Sequence, residues 1–298
     1  MCDATTEREN ESWLKNRAVA RRDLGKVGIG VAALAAVPGC VSGAVGDSPA
    51  SSGEVASRTV SIPTPDGTAD GFFVYPAKGR HPGIILWPDI AGLRDAYRTM
   101  ATRLAKSGYA VLVVNQYYRS APAPIMQSMA EWRTEAGQAR LKPMIEAINP
   151  AATTRDGGAF VDWLDQQAEV DRASKIGTSG YCMGGPFTFR TAAARPDRVG
   201  ALASFHGGGL ATDKPDSPHL LFKTMKAAAL ICIAQNDDER DPQAKATLRA
   251  AADAAGRPAE IEVYPAQHGW CTIDAPVYDE AQAERAWARM LATWQKYL

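Results

Sequence analysis

Short, continuously apolar runs, each followed by a segment of helical length, constrain this chain more than any other feature. Gly83-Ile84-Ile85-Leu86-Trp87, Ala110 to Val114, Val199 to Phe205 and Ala227 to Ala234 are too short for helices and carry no alternation. Such runs mark strands buried on both faces, which means parallel strands covered by helices on either side. Helical patterns over Asp95 to Lys106, Thr153 to Gln167, Gly184 to Ala194, Gln243 to Ala255 and Asp279 to Tyr297 alternate with them. The order implies an α/β chain with a doubly wound, mostly parallel sheet. Ahead of it, Thr59 to Ile62 and Gly71 to Tyr75 read as a hairpin turning at Pro65-Asp66-Gly67. Pro122 to Pro150 is polar and helical in flavour, an excursion over the sheet that would line a pocket.

The first 57 residues read differently. A charged opening leads to Arg21-Arg22, then an apolar stretch from Val27 to Val37, then Pro38-Gly39-Cys40 and small residues. That order is the order of an export signal, and the arginine pair resembles a twin-arginine signal. Cys40 resembles a lipoprotein processing site and a possible lipid anchor. The expectation is an exported, periplasmic protein whose residues 58–298 form one catalytic domain; a cytoplasmic protein with an N-terminal arm is the alternative. The apolar stretch is too short to span a bilayer. Gly28-x-Gly30-x-x-Ala33 mimics a dinucleotide fingerprint, but no strand precedes it. Lysine plus arginine equals aspartate plus glutamate, so no positive field speaks for nucleic acid. The five cysteines include no CxxC pair and no metal-like spacing, so no zinc site is expected, and the chemistry read below calls for no metal or organic cofactor. Cys232, inside an apolar run, reads as a core thiol.

Gly180-Tyr181-Cys182-Met183-Gly184-Gly185 lies between a strand and a helix. A nucleophile that projects above a sheet needs a tight turn there, with glycine two residues before and two after, where the chain crowds its neighbours. The next helix would aim its N-terminal amides at the sulfur. A free thiol ionises near about 8.5, and a nearby histidine favours the reactive thiolate. In this architecture the acid and then the histidine follow the nucleophile. His268, after the last strand, is the histidine in place. His206, ending an earlier strand in Phe205-His206-Gly207, is expected to line the pocket; His81 and His219 read as loop histidines. Among Asp237, Asp238, Glu239 and Asp241 in the loop after Ala227 to Ala234, Asp238 is favoured as the acid and Asp237 stands second.

These residues resemble the dienelactone hydrolase family, cysteine-nucleophile members of the α/β-hydrolase fold, over roughly residues 58–298. The spacing Asp238-x-x-x-Pro242 is similar to the family's acid loop, and His268-Gly269 to its histidine region. The resemblance implies that the amides of Ile90 and Met183 form an oxyanion hole. It implies that Asp89, where the family commonly has glutamate, tunes the resting thiol, and that Arg119 binds a substrate carboxylate. Tyr181 and Trp270 are further candidate pocket residues. The family's second carboxylate-binding arginine has no counterpart in Gly269-Trp270-Cys271-Thr272. The implied substrate is a small ester or lactone, cleaved by a monomer or homodimer; a thioesterase, carbohydrate esterase or peptidase, or an inactive ligand-binding relic, are the alternatives.

Overall fold

The structure is a computed structural model and describes residues 4–24 and 53–298. The apolar stretch Val27 to Val37, the Gly28 pattern and Cys40 lie outside the described residues. Strands β1 (Val55–Thr64) and β2 (Gly67–Pro76) form the expected hairpin, longer than the apolar residues alone indicate, with Thr64 opposite Gly67. They are joined by β3 (Gly83–Trp87), β4 (Ala110–Val114), β5 (Ile176–Tyr181), β6 (Val199–Phe205), β7 (Ala228–Ala234) and β8 (Ala259–Tyr264). The eight strands lie in the order β1-β2-β4-β3-β5-β6-β7-β8. β2 runs antiparallel to both neighbours, and β3 to β8 are mutually parallel.

Successive side chains of a strand point to opposite faces, so each continuous apolar run feeds two cores. Ile85 and Trp87 of β3 and Leu112 and Val114 of β4 pack with Phe160, Phe187 and Phe189. Those rings come from α5 (Pro150–Leu164) and α6 (Gly185–Ala194). Ile84, Leu86, Val111 and Val113 face the other way, toward Tyr97, Met100 and Leu104 of α2 (Asp95–Lys106) and Met290 and Trp294 of α9 (Glu280–Tyr297). Helix α5 starts three residues before the apolar pattern does, because the Asn149 side chain accepts from the Ala152 amide and Pro150 occupies the first turn. The excursion over the sheet folds as α3 (Met129–Trp132) and α4 (Glu135–Glu146).

From β3 the chain goes to β4 on one side and then returns to β5 on the other. The carboxyl ends of β3 and β5 therefore flank a switch point, where open α/β sheets leave a crevice. Helix α1 (Ala4–Leu24) lies N-terminal to the sheet in sequence and reaches this same end of it: the Asn10 amide donates to the His268 carbonyl at 3.0 Å. Among the described residues no helix is long and apolar enough to cross a membrane.

Candidate active site

Cys182 follows β5 in a single 3-10 turn, Cys182–Gly184, that opens into α6. Its φ of 52° is in the left-handed region, and among the described non-glycine residues only His206, at 41°, shares that sign. The turn is tight enough to exclude side chains on either side of the sulfur. A Cβ on Gly180 would sit 2.2 Å from the Gly184 carbonyl oxygen, and one on Gly184 would sit 2.4 Å from the Trp87 carbonyl oxygen. The second contact also brings the exit of β3 against the elbow. Ile90 and Met183 therefore approach each other, and the Tyr117 hydroxyl joins them, donating to the Ile90 carbonyl at 2.7 Å and lying 3.9 Å from the Met183 sulfur.

His268 lies in the loop after β8, buried to 2% exposure, as is Cys182. Its main chain is held by its amide, which donates to the Asn236 side chain at 2.8 Å. Its ring is held at Nδ1 by Asp237, at 2.7 Å. This corrects the expectation for the acid. The loop after β7 is a short helix, α7 (Gln235–Arg240), and consecutive helical residues point about 100° apart. Asp237 thus turns to His268, while Asp238 turns outward to Lys245, both its oxygens within 2.7 Å of the ammonium. Burial alone would push the His268 imidazole down, but the Asp237 carboxylate and the Cys182 sulfur outweigh it and hold the ring up to about 10. Burial raises Asp237, yet the facing imidazole leaves it below the ordinary carboxylate range. The His206 imidazole is pushed down, chiefly by burial and further by the facing His268 ring, whose centroid lies 4.8 Å away.

Cys182, His206, His268, Asp89 and Met129 line one pocket, together with Arg133 and, from α1, Glu7, Asn10 and Leu14. Several expected residues have other partners. Arg119 is clamped by both oxygens of Asp156, at 2.7 and 2.8 Å, and by Asp66 at 2.6 Å, and it does not line this pocket. Its charge is spent on two carboxylates, which corrects its expected role as a carboxylate anchor. Asp89 lines the pocket, but its oxygens accept from the Arg94 guanidinium at 2.7 and 3.0 Å and from the Ala91 amide at 2.9 Å. Tyr181 points to the opposite face from the pocket, stacked on Phe205 at 4.9 Å, as strand alternation requires of the residue before Cys182. Trp270 is fully buried, stacked on Tyr264 and edge-on to His206 at 5.2 Å; it supports the pocket wall from behind. Cys232 is a buried core thiol, as read from its apolar run.

Sequence reasoning missed Arg133 and Asn236. Arg133 belongs to the polar excursion that the sequence assigned to the pocket, but nothing in the excursion's pattern singles out one of its cations.

A model of the family described as "Dienelactone hydrolase family" matches residues 69–298. A carboxymethylenebutenolidase from Rhodococcus opacus is 27% identical over 219 residues, 72% of this chain and 81% of that protein. Among solved structures, a dienelactone hydrolase-like promiscuous phosphotriesterase from metagenomic libraries is 21% identical with a TM-score of 0.66, covering 82% of this chain and 99% of that one. A dienelactone hydrolase from Anabaena variabilis is 18% identical with a TM-score of 0.55, over 82% of this chain and 99% of that one. At these identities the solved structures establish the common fold.

Proposed function

Because this chain belongs to the dienelactone hydrolase family, we propose that it cleaves small carboxylic esters or lactones with Cys182 as nucleophile, His268 as acid and base, and Asp237 as the carboxylate that orients the ring. The observation that carries the reading is the Asp237 to His268 hydrogen bond at 2.7 Å, in one pocket with a cysteine at positive φ in a strand-turn-helix elbow.

The protonated His268 is the counter-ion a thiolate needs. The sulfur adds to the carbonyl carbon, and the oxygen takes up the electron pair against the Ile90 and Met183 amides. Collapse breaks the carbon–oxygen bond. The departing alkoxide takes the proton of His268, and a Cys182 thioester remains; from a lactone the alkoxide stays tethered to the acyl group. His268, now neutral and held by Asp237, takes a proton from water, whose oxygen displaces the sulfur as the acid forms. The burial of both reacting groups supports this reading, since charge developing away from water is stabilised more strongly by fixed dipoles.

Cys182→Ala is the direct test, assayed on aryl esters. Loss on the order of 10³-fold or more in kcat is expected for a missing nucleophile; turnover at the wild-type rate would remove Cys182 from the chemistry. The export reading also stands as a proposal, supported by the Arg21-Arg22 pair and the apolar stretch behind it, and mass spectrometry of the N-terminus of the protein recovered from its native host checks it.

A further inference from the structure

The pocket around Cys182 has no room for a substrate. With α1 in place it encloses about 20 Å³, the space of roughly one water. The helix fills the mouth with one face: Thr6 and Asn10 are buried and Leu14, eight residues after Thr6, reaches the lining. That spacing is one face of a helix. Acidic side chains bracket the face and meet cations on the rim. Glu7 lies 3.1 Å from Arg133 Nε and Glu11 2.8 Å from its Nη2, while Glu9 pairs with Arg240. Glu9 also accepts from Asn236 at 3.0 Å, the residue whose oxygen holds the His268 amide.

The seat is also a weak one. Its buried face is largely polar, so little hydrophobic gain holds it, and Asn10 Oδ1 has no hydrogen-bond partner among the described residues. Beside the Asn10 and Glu9 hydrogen bonds stand part-exposed ion pairs, each worth about 0–1 kcal/mol. A helix that narrows a site to the space of about one water and is held largely by polar contacts is built to leave.

We propose that the rim of the Cys182 pocket is a docking surface for the first half of α1 of the same chain, engaged through Glu7, Glu9 and Glu11, and that substrate reaches the sulfur only after α1 leaves. The proposal rests on Cys182 being the nucleophile and adds the regulation of that site. The same N-terminal segment has the order of an export signal; its removal on export would open the site permanently, and displacement would open it reversibly.

The test uses the full chain with Glu7→Lys, Glu9→Lys and Glu11→Lys combined, which turns three attractions into repulsions and leaves Cys182, His268 and Asp237 unchanged. Iodoacetamide labelling is followed peptide by peptide, so Cys182 is read separately from Cys232, a core thiol that reports general loosening. Labelling of Cys182 at least tenfold faster than in the wild type is expected, with Cys232 unchanged. Arg133→Glu with Arg240→Glu in the triple-lysine background should slow it again, as should a synthetic peptide of residues 4–24 added to the triple variant. Equal labelling rates in the wild type and the triple variant would overturn the proposal. So would a rise at Cys232 that matches the rise at Cys182. Because labelling needs no turnover, faster labelling without ester cleavage would sink the hydrolase reading and leave the plug standing.

Discussion

Two adjacent aspartates separate what spacing can and cannot tell at the level of one residue. Asp237 and Asp238 have the same chemistry and differ by one position, yet one holds an imidazole and the other a surface lysine. Asp237→Asn is expected to lower kcat by on the order of 10³-fold or more, because the ring loses the partner that fixes its tautomer and stabilises its charge. Asp238→Asn, which removes a part-exposed ion pair, should leave kcat within about twofold. A steady-state assay of both variants on one aryl ester decides between them. The same pair predicts a pH effect. The His268 pKa is raised to about 10 in the folded protein, above about 6.5 unfolded. The folded state therefore holds the proton more tightly. This contribution to stability is fully present below about pH 6.5 and is lost as pH rises through about 10. Urea midpoints measured from pH 6 to 10 should fall more steeply for the wild type than for Asp237→Asn, which lacks the charge that raises the ring. Parallel slopes would mean that Asp237 is not what holds the proton on His268.

At the level of the element, the strand-turn-helix elbow is the part of the site that was most legible in the sequence. Glycine spacing records a steric need, and the structure supplies the atoms: Gly180 and Gly184 lie where a methyl would meet carbonyl oxygens. Gly180→Ala should therefore cost more than about 3 kcal/mol, since backbone and not a flexible side chain would have to move. Gly256, two residues beyond the end of α8 (Ala244–Ala254), offers the contrast. It has φ +64° and nothing within 4 Å of its missing Cβ. Gly256→Ala pays only the left-handed penalty, about 1 kcal/mol. Urea unfolding of the two variants should rank them in that order. Helix α7 shows the opposite case. Its charged, turn-like sequence reads as a loop, and its first turn bonds the His268 loop through the Gln235 amide and the Asn236 side chain, which sets Asp237 against the ring.

Across the whole molecule, Arg94 ties the site to the scaffold. Its guanidinium, fully buried, takes both oxygens of Asp89 and both of Asp274, linking the exit of β3 to the loop that follows His268. Arg94→Met would leave Asp89 buried without its partner and is expected to destabilise the fold by about 3–5 kcal/mol. Chemical denaturation measures this, and an unchanged midpoint would mean that water replaces the guanidinium. The chain's own sequence determined the parallel sheet, the hairpin at its edge and the elbow, and it singled out Cys182 and His268, which the fold brings into one pocket. Apolar runs, glycine spacing and chain order are local or sequential properties, and they survive without coordinates. The tertiary structure alone decided that Asp237 faces the ring, that Arg119 is spent on Asp66 and Asp156, that Asp89 belongs to Arg94, and that α1 lies over the pocket. Asp89 and Arg94 are five residues apart, but the others join groups distant along the chain, and a charge written in a sequence carries no mark of which of many opposite charges the fold will bring beside it.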